Sequence, residues 1–258
     1  MRRTHAFTLV ELSIVLVILG LLTGGVLAGN ALIRASERRA LMTEYDRTST
    51  AVLAFRDKYL ALPGDITNAT QFWGAADSAG NSDGWGSDCL DIESTSTETC
   101  NGDGNGRIGG PSTTHFEGFR AWQHLANAGL VEGKFTGTRK QPPGAQHEMV
   151  FGSNIPGSRY PKTGYVIMHR SATPIFGRSG HVVQFGGLGN VNANLWTPTI
   201  AVQDLYSVDI KADDGAADRG FLRAGGSGGC MDASDAGLSG NYILSATGLC
   251  TAWFFANF

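Results

Sequence analysis

Oxygen-bearing side chains alternate in the segment 100–108. Asn101, Asp103 and Asn105 supply side-chain oxygens at every second position. The next residue is a glycine, which permits a sharp turn, and Arg107 after it can offer its main-chain carbonyl. Hard divalent cations such as Ca²⁺ prefer oxygen ligands, and calcium loops present them in this order. The segment therefore predicts a structural calcium site.

The twelfth position of such a loop normally holds an acid that binds the ion through both carboxylate oxygens. Here that position is Ser112, and the next acid along the chain is Glu117, five residues later. We expect Glu117 to approach the loop and take the missing role. The alternative is an ordinary turn rich in Asn, Asp and Gly that binds no ion.

Other motifs in the sequence are weaker candidates for a functional site. Five aspartates gather around a lysine and a glycine and form either a second ion site or a turn: Asp204, Asp209, Asp213, Asp214 and Asp218. A G-x-G-x-x-G match at 104–109 lacks the preceding strand of a dinucleotide site, and a G-x-S-x-G match at 225–229 lies in a glycine run. Six histidines show no H-E-x-x-H spacing. We expect no enzymatic activity.

The four cysteines form two pairs that are local in sequence, Cys89 with Cys100 and Cys230 with Cys250. In an exported domain, disulfides with this pairing close the shortest loops, and each stabilises the fold by about 2–4 kcal/mol. A four-cysteine metal site is the alternative, but the close C-x-x-C spacing of such sites is missing.

Glu11 is the single charge in the apolar run 7–28. The run is long enough to cross a bilayer as a helix. A carboxylate near the centre of a span costs about 2.5–3.5 kcal/mol on insertion scales, so Glu11 needs a cationic partner. A secretory signal peptide and a plain membrane anchor are the competing interpretations, and neither accounts for this acid.

One long helix is predicted to carry that acid. No proline interrupts 7–62, which would make a rod of about 84 Å. Its second half has an apolar stripe at steps of three and four, and Pro63 with the following Gly-Asp ends it. The stripe consists of Leu41, Tyr45, Thr48, Val52, Phe55, Tyr59 and Leu62.

The remaining 63–258 predict one β-rich head. Short apolar runs separated by turn signals indicate antiparallel strands at 165–168, 181–185 and 242–244. A helix is predicted from Phe116 to Leu130, with a second short helical turn at 204–210. The fold class is α+β. The net charge is −3 and the pI is about 6.0, with spread basic residues, so we predict no nucleic-acid partner.

The first twelve residues, MRRTHAFTLVEL, resemble the leader and processing site of type IV prepilins and type II secretion pseudopilins. The resemblance implies that a prepilin peptidase cuts between Ala6 and Phe7 and methylates the new amine. It also implies that Glu11 pairs with the amine of a neighbouring subunit. Ala6 stands where the family usually has glycine.

Further features of the head are similar to this family. A disulfide near the C-terminus pins the last strands in type IV pilins, which the pair Cys230 and Cys250 would do here. Many large pilin-like heads have a calcium loop that runs into a helix like Trp122-Gln123-His124-Leu125. The resemblance thus implies a pilin fold, with one long helix packed on a head that contains an antiparallel sheet and long loops.

The implied organisation is a leader at 1–6, a membrane or filament-core half of the helix at 7–29, an amphipathic half at 30–62 and a head at 63–258. The implied function is a structural subunit of a type IV pilus or type II secretion filament. The size of the head favours a minor pilin or pseudopilin over a major pilin.

The implied partners are other pilin subunits, the prepilin peptidase, an inner-membrane assembly platform and, before assembly, membrane lipid. The chain would cross the bacterial inner membrane once, with a cytoplasmic N-terminus, and then enter an extracytoplasmic or cell-surface filament. The alternative is a membrane-anchored binding or adhesion module that does not polymerise.

Overall fold

The structure, a computed structural model, describes most of the chain. The described residues are 8–76, 96–109, 117–138, 149–171, 177–189, 195–226, 229–232, 240–245 and 247–258. Five residues that the predictions above name lie outside these ranges: Ala6, Phe7, Cys89, Ser112 and Phe116.

The first described element is α1 (Leu9–Tyr59), a helix of 51 residues. Thr8 caps it, since its hydroxyl accepts a hydrogen bond from the Glu11 N–H at 3.2 Å and the Glu11 carboxylate accepts one from the Thr8 N–H at 2.8 Å. The helix ends before the predicted Leu62 because Leu60 takes the left-handed conformation, with φ of 56°. At 1.5 Å per residue its length is about 77 Å.

The two halves of α1 differ in burial. The apolar side chains of the first half are exposed, whereas one stripe of the second half is buried under the head. The buried set is Ala40, Leu41, Glu44, Thr48, Ala51, Val52 and Phe55. Glu44 fastens the head to the helix, because its carboxylate accepts hydrogen bonds from the Ser158 hydroxyl at 2.6 Å and the Arg159 N–H at 2.8 Å.

Three shorter helices follow in the described residues: α2 (Ala69–Trp73), α3 (Glu117–Asn127) and α4 (Val202–Ala212). The helix predicted as 116–130 ends earlier as α3, and Gly129 just beyond it has a positive φ of 73°. The short turn predicted at 204–210 is the full helix α4, which has 11 residues.

The strands of the head form one antiparallel sheet in the order β1-β2-β5-β3, and β4 also pairs with β5. The strands are β1 (Gly164–Arg170), β2 (Gly180–Gly186), β3 (Ile200–Ala201), β4 (Leu222–Gly225) and β5 (Leu249–Ala256). The long helix and this sheet confirm the predicted α+β pilin fold. The strand predicted at 242–244 is wrong, because Tyr242 makes only an isolated bridge with Met231.

Two apolar clusters form the core. One joins α1, α3 and the sheet around Phe55, Trp122 and Ile167. The other joins α1 and α4 to the sheet around Leu41 and Phe254. Both clusters include residues of α1, so the amphipathic half of this helix is the common support of the head.

A disulfide joins Cys230 to Cys250, with their Cα atoms 5.2 Å apart. Because Cys250 lies in β5, the bond ties the segment at 229–232 to the middle of the sheet. Cys100 is buried and is also disulfide-bonded. These three described cysteines are therefore not thiolate ligands of a metal.

Candidate functional site

Three carboxylates from separate parts of the head meet in one place. The ligand atoms of Asp65, Asp103 and Glu117 all lie within 4.8 Å of one another. Asp65 belongs to the turn that follows α1, Asp103 to the oxygen-rich loop, and Glu117 is the first residue of α3. We call this group the first acidic cluster.

Backbone hydrogen bonds bring the loop against the turn. The Gly102 N–H donates to the Ile66 carbonyl at 2.7 Å, and the Gly104 N–H donates to the Asp65 carbonyl at 3.0 Å. A Cβ atom on Gly102 would collide with the main chain of Asp65, so only glycine permits this approach. Asp65 is consequently fixed beside Asp103.

The Glu117 carboxylate closes the cluster from the other side. One oxygen accepts from the Gly109 N–H at 2.6 Å and the other from the Asp103 N–H at 3.2 Å. The Gly106 N–H donates to Asp65 Oδ2 at 3.0 Å. Asp65 Oδ1, by contrast, is shielded from solvent and accepts no hydrogen bond from the described residues.

Burial and neighbouring charge change the titration of Glu117 and Asp65. Burial, followed by the charges of Asp103 and Asp65, raises the pKa of Glu117 to about 8, against the opposing effect of its two N–H donors. Burial and the neighbouring Asp103 carboxylate raise the pKa of Asp65 to about 6. The ion pairs between described residues, Arg38 with Asp204 and Arg219 with Asp214, do not reach this cluster. A bound cation would remove this repulsion and satisfy the buried oxygen.

The sequence prediction named only part of this cluster. Asp103 and Glu117 meet as expected. Asn101 Oδ1 accepts from the Thr70 N–H at 2.9 Å, and Asn105 Oδ1 accepts from the Arg107 N–H at 2.8 Å. The Asn101 amide therefore satisfies an N–H in the first turn of α2, and the Asn105 amide stabilises a turn within the loop.

Asp65 was missed by the sequence analysis. It lies far from the loop in sequence, directly after Pro63 and Gly64 in the turn that follows α1. No motif spacing connects it to Asp103. The only sequence signal for Asp65 was its position after a helix whose apolar stripe must pack against the head.

A buried network behind the cluster braces the same segments. His124 Nδ1 accepts from the Gly64 N–H at 2.9 Å, and His124 Nε2 lies 2.9 Å from the Thr99 hydroxyl. That hydroxyl donates to Gln123 Oε1 at 2.6 Å. Burial lowers the pKa of His124 to about 3, so the ring is neutral and its Nε2–H donates to Thr99. The network thus joins α3 to the residues just before Asp65 and just before the loop.

A second acidic cluster consists of Asp209, Asp213 and Asp214, whose ligand atoms also lie within 4.8 Å. Asp209 accepts from the Tyr242 hydroxyl at 2.7 Å and from a backbone N–H at 3.3 Å. Asp213 Oδ2 accepts from the backbone N–H groups of Phe221 and Leu222 at 2.6 and 3.0 Å. These carboxylates stabilise the loop between α4 and β4, which accords with the predicted turn.

The N-terminal region is the other candidate site. Residues 1–27 match the family model described as the prokaryotic N-terminal methylation motif. The chain carries the signature of type IV prepilins and pseudopilins. No curated protein and no solved structure matches the chain.

The described part of this signature begins the long helix. Among the described residues, α1 is the one helix that is both long enough and apolar enough to cross a membrane. Its apolar segment is not buried in the head. This helix together with the signature indicates anchoring in a membrane by the N-terminus. Glu11 is exposed and bonded to Thr8, while the predicted processing residues Ala6 and Phe7 lie outside the described residues.

Proposed function

We propose that this protein is a structural subunit of a type IV pilus or type II secretion filament, in the role of a minor pilin or pseudopilin. The observation that carries the proposal is the continuity of the prepilin signature with an uninterrupted helix whose first half is apolar and exposed. Such a surface packs in lipid before assembly and against helices of other subunits afterwards. In this role the chain is a substrate of a peptidase and has no enzymatic activity of its own.

The proposed processing removes residues 1–6 by cleavage between Ala6 and Phe7. Residues 7–29 then form the membrane and filament-core segment, 30–62 the amphipathic half, and 63–258 the exported head. The chain inserts in the bacterial inner membrane with its N-terminus in the cytoplasm. Its partners are the prepilin peptidase, an assembly platform in that membrane and other subunits, and it ends in an extracytoplasmic or cell-surface filament.

Glu11 has a specific part in this proposal. It is the single charge among the apolar residues of the span, and an unpaired carboxylate is costly in a medium of low dielectric constant. The methylated amine of Phe7 on a neighbouring subunit would neutralise it. This pairing favours one axial position of each subunit over all others.

Two measurements on native cells test the proposal. Mass spectrometry of the mature protein should find a chain that starts at N-methylated Phe7. Glu11→Ala should leave the protein in the membrane but reduce its entry into sheared filaments, whereas Ser13→Ala, a control on the same helix, should enter normally. An intact Met1 terminus, or normal incorporation of Glu11→Ala, would contradict the proposal.

We also propose that the first acidic cluster binds Ca²⁺ as a structural ion. Asp65, Asp103 and Glu117 supply carboxylate oxygens, which suit a hard cation that takes six to eight oxygen ligands. Asn101, Asn105 and the carbonyl of Arg107 remain predicted ligands for further positions. The solvent-shielded Asp65 Oδ1 is the observation that supports this site.

A further inference from the structure

A group of three arginines follows the apolar half of α1, at Arg34, Arg38 and Arg39. Arg38 has a structural role, because its Nη1 lies 2.9 Å from Asp204 Oδ1. The other carboxylate oxygen of Asp204 accepts a hydrogen bond from the Tyr160 hydroxyl at 3.0 Å. This network holds the first turn of α4 against α1, and the charge of Arg38 is already compensated within the chain.

Arg34 and Arg39 have different surroundings from Arg38. Both are exposed, and no ion pair or side-chain hydrogen bond joins either of them to another described residue. The nearest acid in sequence, Glu37, pairs with neither arginine in the described part of the chain. The guanidinium groups of Arg34 and Arg39 therefore have donors available to a partner outside the described residues.

The length of α1 places Arg34 at the boundary of a bilayer. The exposed apolar surface of the helix ends with Leu32 and Ile33, which are 72% and 57% accessible. A hydrocarbon core of about 30 Å takes about 20 residues of helix. A span that begins at Leu9 therefore ends about 9 Å before Arg34, and a span that includes Ile33 ends about 2 Å before it. Polar headgroups occupy about 5–8 Å on each side of the core, so the long Arg34 side chain reaches them in either case.

Arg34 also lies on the side of α1 that faces the head. Residues four and seven positions apart share one face of an α-helix, and Arg34 shares its face with Arg38 and the fully buried Leu41. The ion pair between Arg38 and Asp204 lies about 6 Å farther along the helix axis. A headgroup bound by Arg34 would therefore lie between the bilayer and the beginning of α4, whereas Arg39 points to another side of the helix.

We propose that Arg34, with Arg39 as a second contact, binds the headgroup of an anionic phospholipid such as phosphatidylglycerol and so seats the head on the membrane surface. It rests on the proposed insertion of 7–29 in a membrane. A guanidinium binds phosphate oxygens through two parallel hydrogen bonds. At the depth of the headgroups phosphate is the abundant anion, which favours lipid over an acidic side chain of another subunit. A negatively charged leaflet increases the affinity about fivefold for each arginine near the surface.

Lipid binding to the full-length chain in uncharged detergent micelles tests this proposal, measured by native mass spectrometry. The probes are dioleoylphosphatidylglycerol, dioleoylphosphatidylcholine and glycerol 3-phosphate. We expect the phosphatidylglycerol to bind at least about fivefold more tightly than the phosphatidylcholine. Glycerol 3-phosphate should not bind measurably, because only acyl chains hold a phosphate at the depth of Arg34. A chain that stays in solution without detergent or lipid would contradict the membrane anchoring itself, whereas a membrane-resident chain without lipid preference contradicts this proposal alone.

Glutamine variants separate Arg34 from the other arginines of the chain. Arg34→Gln should weaken phosphatidylglycerol binding about fivefold and leave phosphatidylcholine binding unchanged. Arg56→Gln is the matched control, because Arg56 is also exposed on α1 but lies about 33 Å farther along the helix, and its lipid binding should be unchanged. The proposal is overturned by equal losses in the two variants, by equal affinities for the two lipids, or by glycerol 3-phosphate binding as tightly as lipid. Unchanged lipid binding of Arg34→Gln with reduced entry into sheared filaments would also overturn it, and would assign Arg34 to a contact between subunits.

Discussion

The two acidic clusters of the head each consist of three carboxylates, but the groups that surround those carboxylates differ. Both bring three carboxylates within 4.8 Å of one another. In the second cluster, Asp209 and Asp213 each accept two hydrogen bonds from groups of the surrounding fold. In the first cluster, Asp65 keeps one solvent-shielded oxygen that has no partner in the described part of the chain, beside two other acids.

This difference shows why counting acids does not identify an ion site. Carboxylates that accept hydrogen bonds from the surrounding fold already have compensation for their burial and stabilise loops. A buried oxygen without a donor carries a cost that a proton or a bound cation can remove. The carboxylates are thus close together in both clusters. The clusters differ in whether the buried carboxylate oxygens accept hydrogen bonds.

The largest expected effect is a pH dependence of the metal-free head. The folded-state pKa of Glu117 is about 8 and its ordinary value is 4.5. Because the folded state binds the proton more tightly, its contribution to stability is complete below 4.5 and is lost as pH rises to 8. Each unit of pKa difference corresponds to about 1.4 kcal/mol.

The window between pH 6.5 and 8 isolates this carboxyl. The pKa of Asp209 in the second cluster is raised only to about 6, and the lowered pKa values of His124 and His181 confine their effects to pH below 6.5. Urea unfolding without metal should show the free energy of unfolding falling across this window. Glu117→Gln should flatten the profile, and an unchanged slope in that variant would refute the assignment.

Removal of calcium should have the next largest effect. At a free concentration one hundred times its Kd, an ion that binds only the folded state adds about 2.7 kcal/mol. For a head of this size a chelator should therefore lower the Tm by about 5–10 °C. Asp103→Ala should abolish that response, while Asp214→Ala in the second cluster should retain it. Identical melting with and without chelator would remove the calcium proposal.

Mutation of the second cluster should lower the free energy of unfolding by an amount that does not depend on calcium. Asp213→Ala removes the acceptor for two backbone N–H groups between α4 and β4 and should cost about 2 kcal/mol. The loss should be the same in calcium and in chelator, as measured by urea unfolding. A loss confined to calcium-containing buffer would mean that this cluster also binds the ion.

The smallest effect is expected from mutation of the buried hydrogen-bond network behind the first cluster. Thr99→Val removes the hydroxyl that joins His124 to Gln123, and we expect about tenfold weaker calcium binding, or 1.4 kcal/mol, by titration calorimetry. Thr99→Ser should restore the affinity. Thr48→Val, which removes another buried hydroxyl within α1, should leave the affinity unchanged and report any general destabilisation. Equal effects of the two valine variants would count against a bracing role.

Local patterns predicted the parts of the fold that local physics determines. The stripe from Leu41 to Phe55 follows from burial of one helix face, and β1 and β2 were recognised as apolar runs between turn signals. The central strand β5 was overlooked because it combines small residues with aromatic ones and lacks the valine and isoleucine content of β1 and β2. The site was predicted only where its residues are close in sequence. Asp65 reaches Asp103 through docking of the whole helix, which no spacing encodes.

Rotation links the two ends of the molecule. Because α1 continues without a break from the apolar segment into the head, and Glu44 fastens the head to it, a rotation of the apolar first half turns the head by the same angle. One residue inserted between them, near Arg34, would swing the head about 100° around the helix axis. In a polymer, the number of residues in that connection would therefore set the direction in which each globule faces.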